Sequence, residues 1–229
     1  MHKYLTIIPA RKNSKRLKNK NFINFFNKPL ISFTFNFVNK IKKFDYILLS
    51  TDDQKILKIA KKYKINAPFK RPKSLSGDKV NLNRVIIHSI NWYKKKYKSL
   101  PENIVLLQPT SPLRDTKEFK RIISLYEKKK YNSLLTVSKP MQDQKDMFFF
   151  KKKIAKASKQ NAKRIFFIDG SLYMCKYSFF KKYKTIKNEK SSICYVDQKN
   201  SFDINNKFEL NLAKSYYLYN KMYRKKNNG

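Results

Sequence analysis

Glycine is nearly absent from this 229-residue chain, which carries only three. The phosphate-binding patterns GxxxxGK[ST] and GxGxxG both rely on glycine for close backbone approach to the ligand, and neither occurs. Cysteine is as scarce. Cys175 and Cys194 have no CxxC spacing and are too few for a disulfide framework, so both are expected to be buried thiols in a reducing cytoplasm. Long hydrophobic runs are missing too. No stretch approaches the ~18 apolar residues of a membrane span, and the run from Tyr4 to Ala10 is too short for a signal sequence, so no membrane partner is expected. Acidic residues number 15 against 54 basic ones, a formal charge of +39.

That charge raises the possibility of a nucleic-acid partner. Its composition argues otherwise: 46 of the basic residues are Lys and eight are Arg, spread from Lys3 to Lys226 beside abundant Asn, Ile, Phe and Tyr. A nucleic-acid reader needs forked Arg contacts or a basic face interleaved with stacking aromatics. Dispersed lysine reflects A/T-rich codon usage instead, although the net charge still attracts small anions.

Short apolar runs alternate with segments of helical period, the pattern of βα units around a mostly parallel sheet. Strands are expected at 4–8, 45–50, 103–108, 133–137 and 193–196, the central one being the nearly all-apolar NIVLLQ. Helices are expected after Pro29, after the N-cap sequence Thr51-Asp52-Asp53, over 81–97, over 116–129, and at the end through Phe208, Leu212, Tyr216 and Tyr219. Asp169-Gly170 lies between two short apolar runs and reads either as a hairpin turn or as a tight functional loop. Periodicity is lost between Lys139 and Arg164. One domain spanning 1–229, with an insertion at 139–165, accounts for the whole chain.

In open α/β sheets ligands sit beyond the carboxyl ends of the strands, which directs attention to the loops after the first strand and after NIVLLQ. The first, Pro9 to Asn21, puts six cationic side chains with hydroxyl and amide donors into thirteen residues, chemistry suited to a triphosphate. Within it, Pro9-Ala-Arg11, Asn13-Ser-Lys15 and Lys20-Asn21 resemble the PAR-x-x-SK…KN signature of the acylneuraminate cytidylyltransferases, the CMP-sialic acid synthetases. Lys28-Pro-Leu30, Ser50-Thr-Asp52, Arg71-Pro72 and Leu75-x-x-Asp78 follow in that family's order. Gln108-Pro-Thr-Ser-Pro-Leu-Arg114 repeats its most specific block intact. Asp169-Gly-Ser-Leu-Tyr173 is similar to its NG-x-x-Y, and Ser201-Phe-Asp-Ile204 to its closing motif.

The resemblance implies a Rossmann-like nucleotidyltransferase fold, a mostly parallel sheet flanked by helices, with a small insertion serving dimerisation and the sugar site. It implies transfer of CMP from CTP to the anomeric hydroxyl of a sialic-acid-like nine-carbon acid, with Mg²⁺ as cofactor and a homodimer as the assembly. Arg11, Ser14, Lys15, Lys20 and Asn21 would hold the triphosphate, with Arg71 and Asp78 near base and ribose. Gln108, Lys159, Gln160, Asp169 and Tyr173 would meet the sugar; Asp203 and Asn205 would meet the metal. Arg11, Lys20 and Asp203 would carry catalysis, chiefly by positioning and charge neutralisation. Arg114 reads alternatively as a residue that pins its own loop. The segment Met147 to Phe150 reads as an interface anchor in preference to a core strand.

Four departures stand out, one of them Asp169 in place of the Asn of NG-x-x-Y. The closing motif, D-I-D with a further Asp four residues on in the family, is Asp203-Ile-Asn205 followed by Glu209 here. The family's RQ pair is Lys159-Gln160, and an Arg that some members carry before NG aligns with Phe167. Competing readings are a CMP-Kdo synthetase, a CTP-binding relative without turnover, and a basic nucleic-acid-binding protein.

Overall fold

The computed structural model describes residues 2–139, 148–151, 154–157 and 166–227. In chain order the elements are β1 (Tyr4–Ala10), β2 (Asn24–Phe25), β3 (Lys28–Pro29), α1 (Leu30–Asn39), β4 (Tyr46–Thr51), α2 (Gln54–Lys62), α3 (Leu82–Tyr97), β5 (Asn103–Leu106), α4 (Thr116–Lys128), β6 (Ser133–Ser138), β7 (Phe148–Lys151), β8 (Ile154–Ala157), β9 (Phe167–Lys176), α5 (Tyr177–Tyr183), β10 (Ser192–Tyr195) and α6 (Lys207–Asn227). The βα alternation read from the sequence is present. Asp53, Asn81 and Asp115 cap α2, α3 and α4, each accepting from a backbone N–H of the first turn.

Six strands form one sheet in the order β10-β6-β9-β5-β1-β4. β4, β1 and β5 run parallel, as do β6 and β10, while β9 lies antiparallel between β5 and β6. Strand alternation divides the core between the two faces. On one side Ile8, Leu49, Val105, Leu107 and Met174 meet Ile31, Phe35 and Val38 of α1, Ile56 of α2 and Phe119, Ile122 and Ile123 of α4. On the other, Leu5, Ile7, Leu48, Ile104, Leu106 and Tyr173 meet Ile86, Ile90 and Tyr93 of α3 and Phe179 and Phe180 of α5. Each fully buried Leu, Ile or Phe contributes about 1.5–3 kcal/mol. A third cluster of Phe25, Leu30, Ile204, Leu210 and Ala213 fastens α6 to the β2–β3 hairpin, which turns through Phe26 and Asn27, both at positive φ.

Asp169-Gly170 is not a hairpin turn. β9 continues through it, and the register against β6 passes from Leu135 opposite Tyr173 to Val137 opposite Ile168, so residues 169–172 form a bulge opposite Thr136 alone. The Thr136 hydroxyl donates to Asp169 Oδ1 at 2.6 Å and accepts from the Leu172 amide at 3.0 Å, which closes the bulge from the neighbouring strand. Within the expected insertion, β7 and β8 pair antiparallel as a separate two-stranded sheet. Lys159, Gln160 and Met147 lie outside the described residues.

Candidate active site

A cavity of about 430 Å³ opens at the carboxyl edge of the sheet, where β1 and β5 end. The basic loop after β1 contributes Arg11, Ser14, Lys15, Arg16, Lys20 and Asn21 to its wall. The segment leading into α3 contributes Arg71, Gly77, Asp78 and Val80, the loop after β5 contributes Gln108 and Thr110, and the closing segment contributes Asp203 and Asn205. Residues from four separate stretches of sequence thus converge on one space. All seven positions assigned to the nucleotide are among them.

The loop after β1 is held by its backbone. Asn21 donates its amide to the Arg11 carbonyl at 3.0 Å, Lys12 N–H donates to Asp52 Oδ1 at 2.8 Å, and the Thr51 hydroxyl donates to the Ala10 carbonyl. Asn21 therefore shapes the loop that carries the cations. Arg71 is buried, donating from Nε to Ser50 Oγ at 3.0 Å and from its terminal nitrogen to the Ser50 carbonyl. Burial lowers its pKa to about 10, against the attraction of Asp52, so it remains a cation at neutral pH.

Five cations against two carboxylates leave the cavity strongly positive. Arg11 pairs with Asp78 at 2.7 Å, and Lys15, its side chain 80% exposed, reaches the other Asp78 oxygen at 3.6 Å. The more exposed contact adds little stability and leaves Lys15 available to a ligand. Lys20 and Arg16 both donate to the side-chain carbonyl of Asn205, at 3.2 and 3.1 Å, while the Asn205 amide donates to Asp203 Oδ2 at 2.9 Å. Burial lowers the pKa of Lys20 in spite of the attraction of Asp203. Asp203 Oδ1 is buried and has no hydrogen-bond partner.

Glu209, the acidic residue beyond Asn205, serves α6. Its carboxylate accepts from the backbone N–H groups of Asn205 and Asn206 at 2.5 and 3.2 Å, and Asn206 Oδ1 accepts from the Glu209 backbone N–H at 2.9 Å, a capping box. Among the described residues no three His, Cys, Asp or Glu are grouped so as to hold a metal.

The loop Gln108 to Arg114 is folded around its last residue. Arg114 is buried and donates to the carbonyls of Gln108, Ser111 and Ser171 at 2.6, 2.6 and 2.7 Å and to Thr34 Oγ1 at 3.1 Å, with Phe37 beneath its guanidinium. The reading of Arg114 as a pin is the one its contacts match. Burial pushes its pKa down to about 9. Ile204 N–H donates to the Thr110 carbonyl at 2.8 Å, joining this loop to the closing segment.

Gln108 and Asp203 approach the bulge of β9 closely: a Cβ on Gly170, which sits at φ +75°, would lie 2.6 Å from Gln108 Oε1 and 3.7 Å from Asp203 Cγ. The neighbours of Gly170 do not reach the cavity wall. Asp169 is buried with Oδ1 accepting from Thr136 and from the Ser171 amide, and burial raises its pKa. Tyr173 packs in the core under α3 and α5. The resemblance places both with the sugar residues; the contacts they make here hold the bulge and the sheet. Arg16, absent from the motif-based set, belongs to the wall, and its only signal in the sequence is membership of the basic loop.

A family model for cytidylyltransferases matches residues 5–226. The chain belongs to the cytidylyltransferase family. Within that family it is 29% identical to the N-acylneuraminate cytidylyltransferase of Escherichia coli O18:K1:H7, over 92% of this chain and 51% of that protein, so it spans about half the length of this relative. It is 28% identical to the pseudaminic acid cytidylyltransferase of Campylobacter jejuni serotype O:2, over 95% and 97% of the two chains. A solved structure of CMP:2-keto-3-deoxy-manno-octonic acid synthetase complexed with CTP superposes with a TM-score of 0.69 at 12% identity, over 95% and 99%, a likeness of fold. The expected sheet with flanking helices is the fold observed. No helix among the described residues is long and apolar enough to cross a membrane.

Proposed function

We propose that the chain transfers CMP from CTP to the anomeric hydroxyl of an acidic nine-carbon sugar, with release of pyrophosphate. The observation that carries this reading is the cavity itself, in which Arg11, Lys15, Arg16, Lys20 and Arg71 converge beside Asp203 in a member of the cytidylyltransferase family. The relatives named for N-acylneuraminate and pseudaminic acid support an acceptor of the nonulosonate class.

In the reaction the anomeric oxygen forms a bond to the α-phosphorus while the bond from that phosphorus to the bridging oxygen breaks. Pyrophosphate leaves with the electron pair, and the hydroxyl proton passes to solvent. Charge builds on the phosphate oxygens as this happens. Arg11, Lys15, Arg16 and Lys20 can neutralise it without moving far, and a preorganised cation costs no reorganisation at that moment. Loading CTP requires Arg11 and Lys15 to share or leave Asp78, and Arg16 and Lys20 to exchange Asn205 for phosphate oxygens, replacing contacts to a neutral amide by stronger ones to an anion.

The donor set fits a magnesium ion held mainly by phosphate. Asp203 has a carboxylate oxygen with no partner, whereas the Asn205 carbonyl is engaged by two cations and becomes available as they turn to the nucleotide. When bound, the ion would supply charge neutralisation at the phosphates. A homodimer in a reducing cytoplasm completes the proposal, supported by the exposed apolar side chains of Leu218, Tyr219 and Met222 on α6.

The test is incubation with CTP, Mg²⁺ and a panel of nonulosonic acids and Kdo, with pyrophosphate release measured. Release with at least one nonulosonate, and a weaker response or none with Kdo, is expected. CTP binding without release would assign a non-catalytic relative; salt-sensitive RNA binding with neither would assign a nucleic-acid protein.

A further inference from the structure

Arg114 is a buried cation, and among the described residues its hydrogen-bond partners are neutral: the carbonyls of Gln108, Ser111 and Ser171 and the Thr34 hydroxyl. Neutral acceptors do not cancel a full charge away from water, so a carboxylate within reach is needed. Two carboxylates act on Arg114, Asp169 more strongly than Asp203. They differ in what else they face. Asp203 stands on the wall of the nucleotide cavity beside Lys20, whereas Asp169 is buried behind that wall in the bulge of β9.

The bulge joins Asp169 to Arg114 through a single residue. The Ser171 N–H donates to Asp169 Oδ1 at 2.8 Å, and the Ser171 carbonyl accepts from Arg114 Nε at 2.7 Å. Gly170, between Asp169 and Ser171, abuts Gln108 and Asp203. Asp169 Oδ2 and Asp203 Oδ1 are both buried with no hydrogen-bond partner. An oxygen without a donor keeps its charge unscreened, and in a low dielectric that charge acts beyond contact distance.

We propose that Asp169 is a positioning residue for the transfer reaction: as the counter-charge of Arg114, it leaves the Asp203 carboxylate free to hold a divalent cation against the nucleotide phosphates. This rests on the CMP-transfer reading above. With no charge at 169, Asp203 would answer both to Arg114 behind it and to the cations of the wall in front. Its hold on an entering cation would weaken, and loss of the second carboxylate's attraction acts in the same direction.

Two variants separate charge from structure. Asp169→Asn removes the charge and keeps the Oδ1 acceptor for Thr136 and Ser171, while Thr136→Val removes a donor and keeps the charge. The probe is Mn²⁺, and the reading is the factor by which it tightens CTP, from calorimetric Kd values with the ion and with a chelator, in the absence of any sugar. Asp169→Asn should cut that factor by about fivefold or more, and Thr136→Val should leave it within about twofold of the parent. Metal-free CTP should bind Asp169→Asn at least as tightly as the parent, because a negative charge has left the surroundings of an anion site. A distorted site would weaken both. Failure of Asp169→Asn to fold beside a folded Thr136→Val would show that the buried cation depends on this charge, and supports the assignment. An unchanged factor in Asp169→Asn, an equal fall in Thr136→Val, weakened metal-free CTP in Asp169→Asn, or no tightening by Mn²⁺ in the parent overturns the inference and leaves CMP transfer to be decided by pyrophosphate release. No pyrophosphate with any acid of the panel overturns the transfer reading, and with it any part of Asp169 in that reaction.

Discussion

The Lys20 ammonium donates to the side-chain carbonyl of Asn205 at 3.2 Å, so the basic loop and the closing segment are joined through a neutral acceptor. A carboxylate at 205 would meet the same two cations but would also stand against Asp203, whose Oδ2 now receives the Asn205 amide at 2.9 Å. Two carboxylates that close repel unless they share a proton or a cation. Asn205→Asp is expected to lower the Mg²⁺ concentration for half-maximal pyrophosphate release by about tenfold, since affinity for a hard cation follows the ligand charge count. An unchanged Mg²⁺ titration would remove position 205 from the metal site.

Lys20 supplies a pH dependence. Burial lowers its pKa in the folded, ligand-free protein, so it loses its charge at a lower pH than an ordinary lysine. The triphosphate favours the charged form, and binding above the lowered pKa must take up a proton. CTP affinity is therefore expected to fall as pH rises, beginning below the usual lysine range, and Lys20→Arg should remove that fall. Lys20→Met should lower kcat/KM by about 100-fold or more. Calorimetric titration across pH, with buffers of different ionisation enthalpy, reads the proton uptake directly.

Gly170→Ala tests the bulge of β9. A side chain at φ +75° is strained, and its Cβ would press on Gln108 Oε1. The expected cost is about 1–2 kcal/mol, a fall in Tm of about 3–6 °C. KM for the acceptor should rise with KM for CTP little changed, because the displaced group is Gln108. Adding Gln108→Gly should restore part of the Tm; a double variant no more stable than the single would place the strain in the backbone alone.

Arg114→Lys separates charge from geometry. One ammonium cannot reach the Gln108, Ser111 and Ser171 carbonyls together, and carbonyls buried without partners are costly. The expected destabilisation is about 3–5 kcal/mol, read as a shift of the urea midpoint at constant m-value. A loss below about 1 kcal/mol would contradict the role of Arg114 as the centre of its loop.

What the sequence reveals and what it conceals follow from how local each determinant is. The βα order is legible because Leu30, Phe37 and Val38, or Val85, Ile86 and Ile90, repeat at helical spacing on their own segments. The nucleotide wall is legible because Pro9 to Asn21 and Gln108 to Arg114 carry long ordered motifs. The bulge is not: Asp169-Gly170 signals a turn locally, and the hydroxyl that keeps it within one strand belongs to Thr136, far away in sequence. Tyr173 is grouped with the sugar by its motif but takes the face that strand alternation assigns it, with Cys175 beside it. α5 has no side-chain cap at Lys176 and is a short run of Tyr, Ser, Phe and Lys, so no pattern marks it.

The antiparallel setting of β9 has one more consequence. Ser138 and Phe167 stand opposite each other at the end of the β6–β9 pair, so the chain leaves the sheet and returns to it at neighbouring points. A change in the number of residues between these two paired positions therefore leaves every rung of the β6–β9 ladder where it stands.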